Sequence, residues 1–183
     1  MTIIDIRNYS IKSEDKFILD SNIWVYLFDK TCTPEIWISN SINVYTNFYK
    51  NLLNSGSKIY LVAFNTQELS KKFINNDFNA YKAQFPEADF KRDYRPSNYY
   101  PLLLEHIRSV HNAILQVATL SNDVFEEFQP EKFFNKDIDF VDEYLCYVAH
   151  KLNCKIITHD KDFKNSPYDV DILTDNRKML VHQ

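Results

Sequence analysis

Glycine is almost missing from this chain: Gly56 stands alone among 183 residues. That excludes a dinucleotide fingerprint and a phosphate-binding P-loop, because each is built on several glycines. Cysteine is scarce as well. Cys32, Cys146 and Cys154 form no C-x-x-C pair and are odd in number, so they read as unpaired thiols of a reducing, cytoplasmic compartment. No apolar run approaches a membrane span, and the polar opening MTIIDIRNYSIKSEDK has no secretory apolar core, so no membrane association is expected. Positive charge is not in excess either. A formal net charge of −4 argues against a broad, non-specific coat for nucleic acid, while leaving room for a local basic patch.

What is present has the balance of a globular chain, with 45% hydrophobic and 25% charged residues, so one domain with an ordinary core is expected over 1–183. Lys16–Asp20 is a short apolar strand ending in an aspartate, followed by the turn Ser21-Asn22 and the apolar run Ile23–Phe28. Pro34 opens a long helix through about Leu53, which ends at the turn Asn54–Ser57. The continuous apolar run Ile59–Phe64 is the mark of a parallel strand buried on both faces, and Asn65 or Thr66 caps a helix with Glu68 in its first turn. The pattern then loosens from about Asn75 to Tyr100 into what reads as a helical insert. Leu102–Leu120 returns to helical period, Asp123-Val124-Phe125 is a candidate short strand, and Val170–Leu173 reads as a last, edge strand. This alternation predicts an α/β fold: a mainly parallel central sheet, helices on both faces, in three layers, with its core over about 16–174.

The most informative stretch is Phe140–Phe163. Val141, Tyr144, Leu145, Val148 and Leu152 share one helical face, Asn153 stops the helix, and Lys155–Thr158 is a short β-branched strand. At 100° per residue, Asp142 stands about 100° from Val141, at the edge of the apolar stripe, whereas Glu143 at about 200° and Asp139 at about 160° turn further towards solvent. A helix joined by a tight loop to a strand runs antiparallel to it. Thirteen helical residues span roughly 19 Å and the strand roughly 13–17 Å, so the start of the helix returns near the end of the strand and brings Asp142 towards Asp160. Alone, these two would also pass as a helix-start acid and a turn aspartate.

In parallel sheets ligands gather at the carboxyl ends of the strands. Asp20, Glu68 and Asp160 each follow such an end, and Asp142 reaches the same edge. Carboxylates so placed resist joint ionisation, and a divalent cation offsets the repulsion; an oxygen-rich, sulfur-free donor set suits Mg2+ or Mn2+. Asp20, at its strand end, is the best central ligand, and Asp160 the weakest direct one.

These residues resemble the PIN-domain family of metal-dependent ribonucleases, which includes VapC-type toxins. The matching pieces are Leu19-Asp20-Ser21-Asn22, Glu68 after the second strand, and Asp142 placed eighteen residues before Asp160 in Thr158-His159-Asp160-Lys161-Asp162-Phe163. The resemblance implies a PIN-like fold and metal-dependent hydrolysis of RNA phosphodiesters. It implies Asp20, Glu68, Asp142 and Asp160 as the acidic set, Asp162 as an auxiliary acid, and Asn22 and Thr158 as polar supports. The chain departs from the family pattern in the long gap between Glu68 and Asp142, and in Asp137 and Asp139, which compete with Asp142 for its role.

Lys71, Lys72 and Lys161 are placed to meet an RNA backbone, as are Lys91, Arg92 and Arg95 of the insert, though ordinary solvated residues would look the same. The aromatics Tyr81, Phe85, Phe90, Tyr94, Tyr99 and Tyr100 read first as packing for a helical hairpin, a homodimer or an antitoxin-like partner, and second as stacking surfaces for bases. His159 reads as a surface histidine beside Asp160, and Ser21 as a hydrogen bonder at a helix start. Two other function classes are carried: a PIN-like interaction module without catalysis, and another Mg2+-dependent phosphotransfer enzyme. A phospho-aspartate phosphatase would place a second aspartate where this chain has Asn22.

Overall fold

The computed structural model describes residues 1–29, 36–121, 129, 131, 133 and 136–181, with 36–39 described by backbone alone. One six-stranded, all-parallel sheet runs in the order β1-β6-β5-β2-β3-β4. Its strands are β1 (Thr2–Asp5), β2 (Lys16–Leu19), β3 (Lys58–Leu61), β4 (Ala118–Leu120), β5 (Lys155–Ile157) and β6 (Asp171–Thr174). Helices α1 (Ser21–Phe28), α2 (Ile36–Ser55), α3 (Ala63–Gln84), α4 (Tyr99–Leu115), α5 (Phe140–Leu152) and α6 (Arg177–Leu180) cover it. Among the described residues, no helix is long and apolar enough to cross a membrane.

The period-two alternation of the strands divides the core. Phe17, Leu19, Ile59, Leu61, Ile157 and Leu173 point to one face, where α1–α4 bring Trp24, Tyr45, Leu52, Leu69, Phe73 and Ile107. Ile18, Ile156 and Ile172 point to the other, against Tyr144, Leu145 and Val148 of α5 and Met179 of α6. The result is the expected three-layer α/β/α arrangement with a sheet buried on both faces.

Several local expectations change. The polar opening contributes β1, which pairs with β6 from Thr2↔Asp171 to Asp5↔Thr174; β6 is therefore an interior strand, and the sheet reaches beyond the expected core. Helix α3 starts at Ala63, and Asn65 is no cap: its buried Nδ2 donates to Leu19 O (3.2 Å) at the end of β2. Helix α3 also continues through Gln84, so the loosened stretch begins as the continuation of a long helix and then makes a wide helical turn at Phe90–Tyr94. Helix α4 stops at Leu115, and Ala118–Leu120 leaves it as edge strand β4. The candidate strand at Asp123–Phe125 and the helix start at Pro34 lie outside the described residues.

Two features of the topology make a site. After β4 the chain crosses back to form β5 on the other side of β2, so the order reverses between the carboxyl ends of β2 and β5, where open α/β sheets hold ligands. The α5–β5 joint is as tight as the antiparallel return required. Asn153 sits in the left-handed region (φ 52, ψ 51), and Cys154 N–H closes on Ala149 O at 2.8 Å. Asparagine tolerates that conformation where a β-branched residue does not. Asn153→Val is therefore expected to cost about 1–2 kcal/mol, lowering Tm by roughly 2–8 °C. Asn153→Gly should leave Tm unchanged or raise it. A thermal melt of both variants checks the joint; an Asn153→Val protein as stable as the parent would contradict it.

Candidate functional site

Asp20, Glu68 and Asp142 meet at the switch point. Each offers a carboxylate oxygen, and these atoms lie within 4.8 Å of one another. Asp20 leaves the end of β2 and its N–H donates to Ile157 O of β5 (3.0 Å), which fixes it between the two strands. Its side chain is 2% exposed and accepts from Thr158 Oγ1 (2.8 Å) and Ser21 Oγ (3.2 Å). Glu68 comes from the second turn of α3 and Asp142 from the first turn of α5, each half-buried.

Burial and like charge act together on these carboxyls. Unit charges this close repel by about 3–4 kcal/mol per pair at an effective dielectric constant near 20. With all three ionised, the sum would rival the whole stability of an ordinary domain, about 5–15 kcal/mol, so the set resists joint ionisation. Burial, then the neighbouring charges of Asp20, Glu68 and Asp160, push the Asp142 carboxyl up to about 8. Burial likewise raises Asp20 to about 6, opposed by Lys72 and by the hydrogen bonds from Thr158 and Ser21.

One ammonium answers the charge. Lys72, one turn after Glu68, places Nζ 2.9 Å from Glu68 Oε1 and 2.7 Å from Ser21 Oγ. Burial alone would lower its pKa, but the charges of Asp20 and Glu68 outweigh burial and raise it. The other Glu68 oxygen, Oε2, is buried without a hydrogen-bond partner. An orphaned carboxylate oxygen beside two more carboxyls fits a hard divalent cation, and a donor set of oxygens alone fits Mg2+ or Mn2+. Asp20, Glu68 and Asp142 are the residues that would hold it.

The remaining predicted residues fall around this centre. Asp160 is outside the trio: it caps the turn Lys161–Asn165 by accepting from Asp162 N–H (3.0 Å), and reaches Asp142 through its charge. Asp162 lies in the first turn beyond that cap, also outside the trio. Thr158 is buried and holds Asp20 directly, and Asn22 Nδ2 reaches Thr158 Oγ1 at 3.5 Å. Asp139 is the exposed residue before α5, as the helical wheel indicates, and Asp137 is exposed. Glu143 departs from the wheel, being 2% exposed rather than turned to solvent. The reason is that α5 buries every residue from Glu143 to Ala149, so this stretch has no solvent face.

Of the basic residues, Lys72 enters the centre, Lys71 is exposed on the same helix, and Lys161 is exposed just beyond Asp160. The insert is remote. The turn that carries Lys91, Arg92 and Arg95 packs back on α3 at Asp77, Phe78 and Tyr81, about 14–20 Å along the helix from Glu68. There Arg92 is paired with Asp93 at 2.8 Å. The insert aromatics pack on one another: Tyr81 lies 4.7 Å from Phe85 and 5.1 Å from Tyr94 between ring centroids, and Tyr94 is fully buried.

Two groups escaped the sequence reading. Ser21 is more than a helix-start hydrogen bonder, since it links Lys72 to Asp20. Tyr45, from the middle of α2, puts its hydroxyl 3.0 Å from His159 Nδ1 and 3.1 Å from Thr158 O, and accepts from Asp175 N–H at 2.8 Å. It thereby locks the segment that carries Thr158 and Asp160. Lys72, expected to meet an RNA backbone, is instead paired with Glu68 one turn before it, and Tyr45 carried no local signal.

The raised carboxyls fix a pH dependence. A carboxyl whose folded pKa exceeds its unfolded value near 3.9 contributes stability that is present below that value and lost as pH rises through the folded one. For Asp20 and Asp142 the loss runs through about 6 and about 8. With a chelator present, Asp142→Asn should therefore be more stable than the parent by several degrees in Tm at pH 8.5, with the gap closing towards pH 5. Added Mg2+ or Mn2+ should raise the parent most at the high-pH end. A gap independent of pH would contradict the crowding of these carboxyls.

No protein-family model matches the chain, and no curated protein or solved structure matches it either.

Proposed function

We propose that the chain is a Mg2+- or Mn2+-dependent endoribonuclease that hydrolyses RNA phosphodiester bonds. The observation that carries the reading is the trio Asp20, Glu68 and Asp142 at the switch point, with Glu68 Oε2 left without a partner. RNA as the substrate class rests on the resemblance of the motif residues to PIN-domain ribonucleases. A cation held by these three carboxylates would supply charge neutralisation for the scissile phosphate and would lower the pKa of water so that hydroxide is available as the nucleophile.

The chain's own residues do the rest. Asp20, held by Thr158 and Ser21, is the fixed carboxylate of the set. Glu68 and Asp142 close it from two helices on opposite faces of the sheet. Lys72 lies beside Glu68 with a charge that favours an incoming phosphate. Asp160 and Asp162 stand outside the trio and act through field and position. The cytoplasmic setting, in which Cys146 and Cys154 persist as free thiols, belongs to the same proposal. So do the role of toxin in a toxin–antitoxin pair, an antitoxin-like protein partner and a homodimer.

Lys72 also favours a second reading, a PIN-like interaction module in which the ammonium has taken the cation's place. The two readings part on cleavage. With an unstructured RNA and millimolar Mn2+, the parent should cut, and a chelator should stop it. Asp20→Asn, Glu68→Gln and Asp142→Asn should each lower the single-turnover rate by about a thousandfold, as loss of a major electrostatic contact does. Asp139→Asn should stay within about tenfold of the parent, since that side chain is exposed and makes no cap. An Asp139→Asn protein that is folded yet more impaired than Asp142→Asn would sink this assignment, and a parent without metal-dependent cleavage would leave the module reading standing.

A further inference from the structure

A cleft of about 370 Å3 adjoins the acidic centre and is lined by Asn22, Tyr26, Lys72, His159, Asp160, Lys161, Asn176 and Lys178. We propose that this cleft is the subsite for the nucleotide next to the scissile phosphate, with Lys161 and Lys178 engaging the phosphate on its far side. The inference rests on the nuclease reading and names where its substrate lies.

Continuity is the first support. Three lining residues connect the cleft to the centre: Lys72 is paired with Glu68, Asn22 reaches Thr158, which holds Asp20, and Asp160 adds its charge to the field at Asp142. A ligand in the cleft therefore lies beside residues that touch or charge the carboxylate trio. Its volume lies within the roughly 300–1,000 Å3 of small-molecule pockets.

Charge is the second. The lining carries three lysines against one aspartate, in a chain whose formal net charge is −4. Lys161 and Lys178 are exposed at the rim, on the turn after β5 and on α6 respectively. Rim lysines facing a shared cleft suit a phosphodiester, whose contacts position the strand without reading its sequence.

Order is the third. His159 does not sit free on the surface. Its Nδ1 is taken by the Tyr45 hydroxyl at 3.0 Å, its carbonyl accepts from Asn176 Nδ2 at 2.7 Å, and its ring stands edge-on to Tyr26 at 6.1 Å and to Tyr45 at 5.8 Å. These ties engage Nδ1 and the carbonyl, and they fix the ring as part of a wall set before the ligand arrives. Asn22, which lines the cleft, has a buried Oδ1 without a hydrogen-bond partner and so offers an acceptor. A fixed aromatic wall, an unpaired acceptor and two rim ammoniums together match one nucleotide.

The test measures binding of a labelled, unstructured RNA oligonucleotide at several salt concentrations, in an Asp142→Asn background that keeps the strand intact. Adding Lys161→Ala and Lys178→Ala should weaken binding about tenfold at low salt and flatten the slope of log affinity against log salt by about 0.7, the share of the one phosphate they engage on a single strand. His159→Gln should weaken binding while leaving the slope in place, because it removes no charge. Equal dependence with a DNA oligonucleotide would keep the subsite and remove the preference for RNA. Affinity and slope unchanged by the double lysine change, with both lost in Lys91→Ala/Arg92→Ala/Arg95→Ala, would overturn the subsite and move the contact to the hairpin tip, leaving the nuclease reading intact. A parent that binds Mn2+ but neither binds nor cuts nucleic acid would overturn the nuclease reading and the subsite together.

Discussion

Mutual repulsion among Asp20, Glu68 and Asp142 is the constraint around which the carboxyl edge of the sheet is arranged. Nothing in the packing of the core demands that these side chains meet; Leu19, Leu69 and Tyr144 would bury as well without them. The chain instead surrounds the trio with groups that make the approach tolerable. Thr158 and Ser21 donate to Asp20, and Lys72 bridges Ser21 and Glu68. Even so, Asp142 is pushed up to about 8 and one Glu68 oxygen has no partner. Local destabilisation of this kind, held by a rigid scaffold, is what a binding site for a compact cation requires.

The scaffold follows from topology. Strands β2 and β5 are neighbours although some 135 residues separate them, and the reversal of strand order between them opens the crevice into which Asp20 projects. Asn65 pins the start of α3 to Leu19, which sets Glu68 over that crevice. The left-handed turn at Asn153 returns α5 along β5, which sets Asp142. Tyr45 ties α2 to the segment after β5 through Thr158 and His159, and to Asp175 after β6. The same tie gives the adjoining cleft its fixed wall.

Much of this was legible in the sequence, for a physical reason. Strand ends are marked by a switch from β-branched or aliphatic residues to Asp, Asn and Thr, so Asp20 and Asp160 announced their edge. The helix–strand return of Phe140–Ile157 is geometry that spacing alone decides. The pieces that escaped lacked a periodic signal. Strand β1 is four residues long and only half-buried, and two of the three residues of β4 are exposed, so neither carries a hydrophobic run. Helix α3 hides its continuity because its polar second half packs through scattered aromatics such as Phe78 and Tyr81. Glu143 looked solvent-facing because a helical wheel assumes one wet side, which that stretch of α5 does not have. His159, Tyr45 and Lys178 come from separate elements, and only the folded chain brings the first two into contact and the first and third to one cleft.

Everything proposed for the site depends on whether the trio holds a divalent cation when the protein is folded and no substrate is present. Titrating Mn2+ into the metal-free protein at pH 7.5, with the free ion followed by its paramagnetic resonance signal, measures that occupancy without reference to activity. Saturable uptake in the millimolar range or below by the parent, lost in a folded Glu68→Gln protein, is the expected result. A parent that takes up no Mn2+, or a Glu68→Gln protein that binds it as the parent does, would contradict the assignment of the trio as a metal centre.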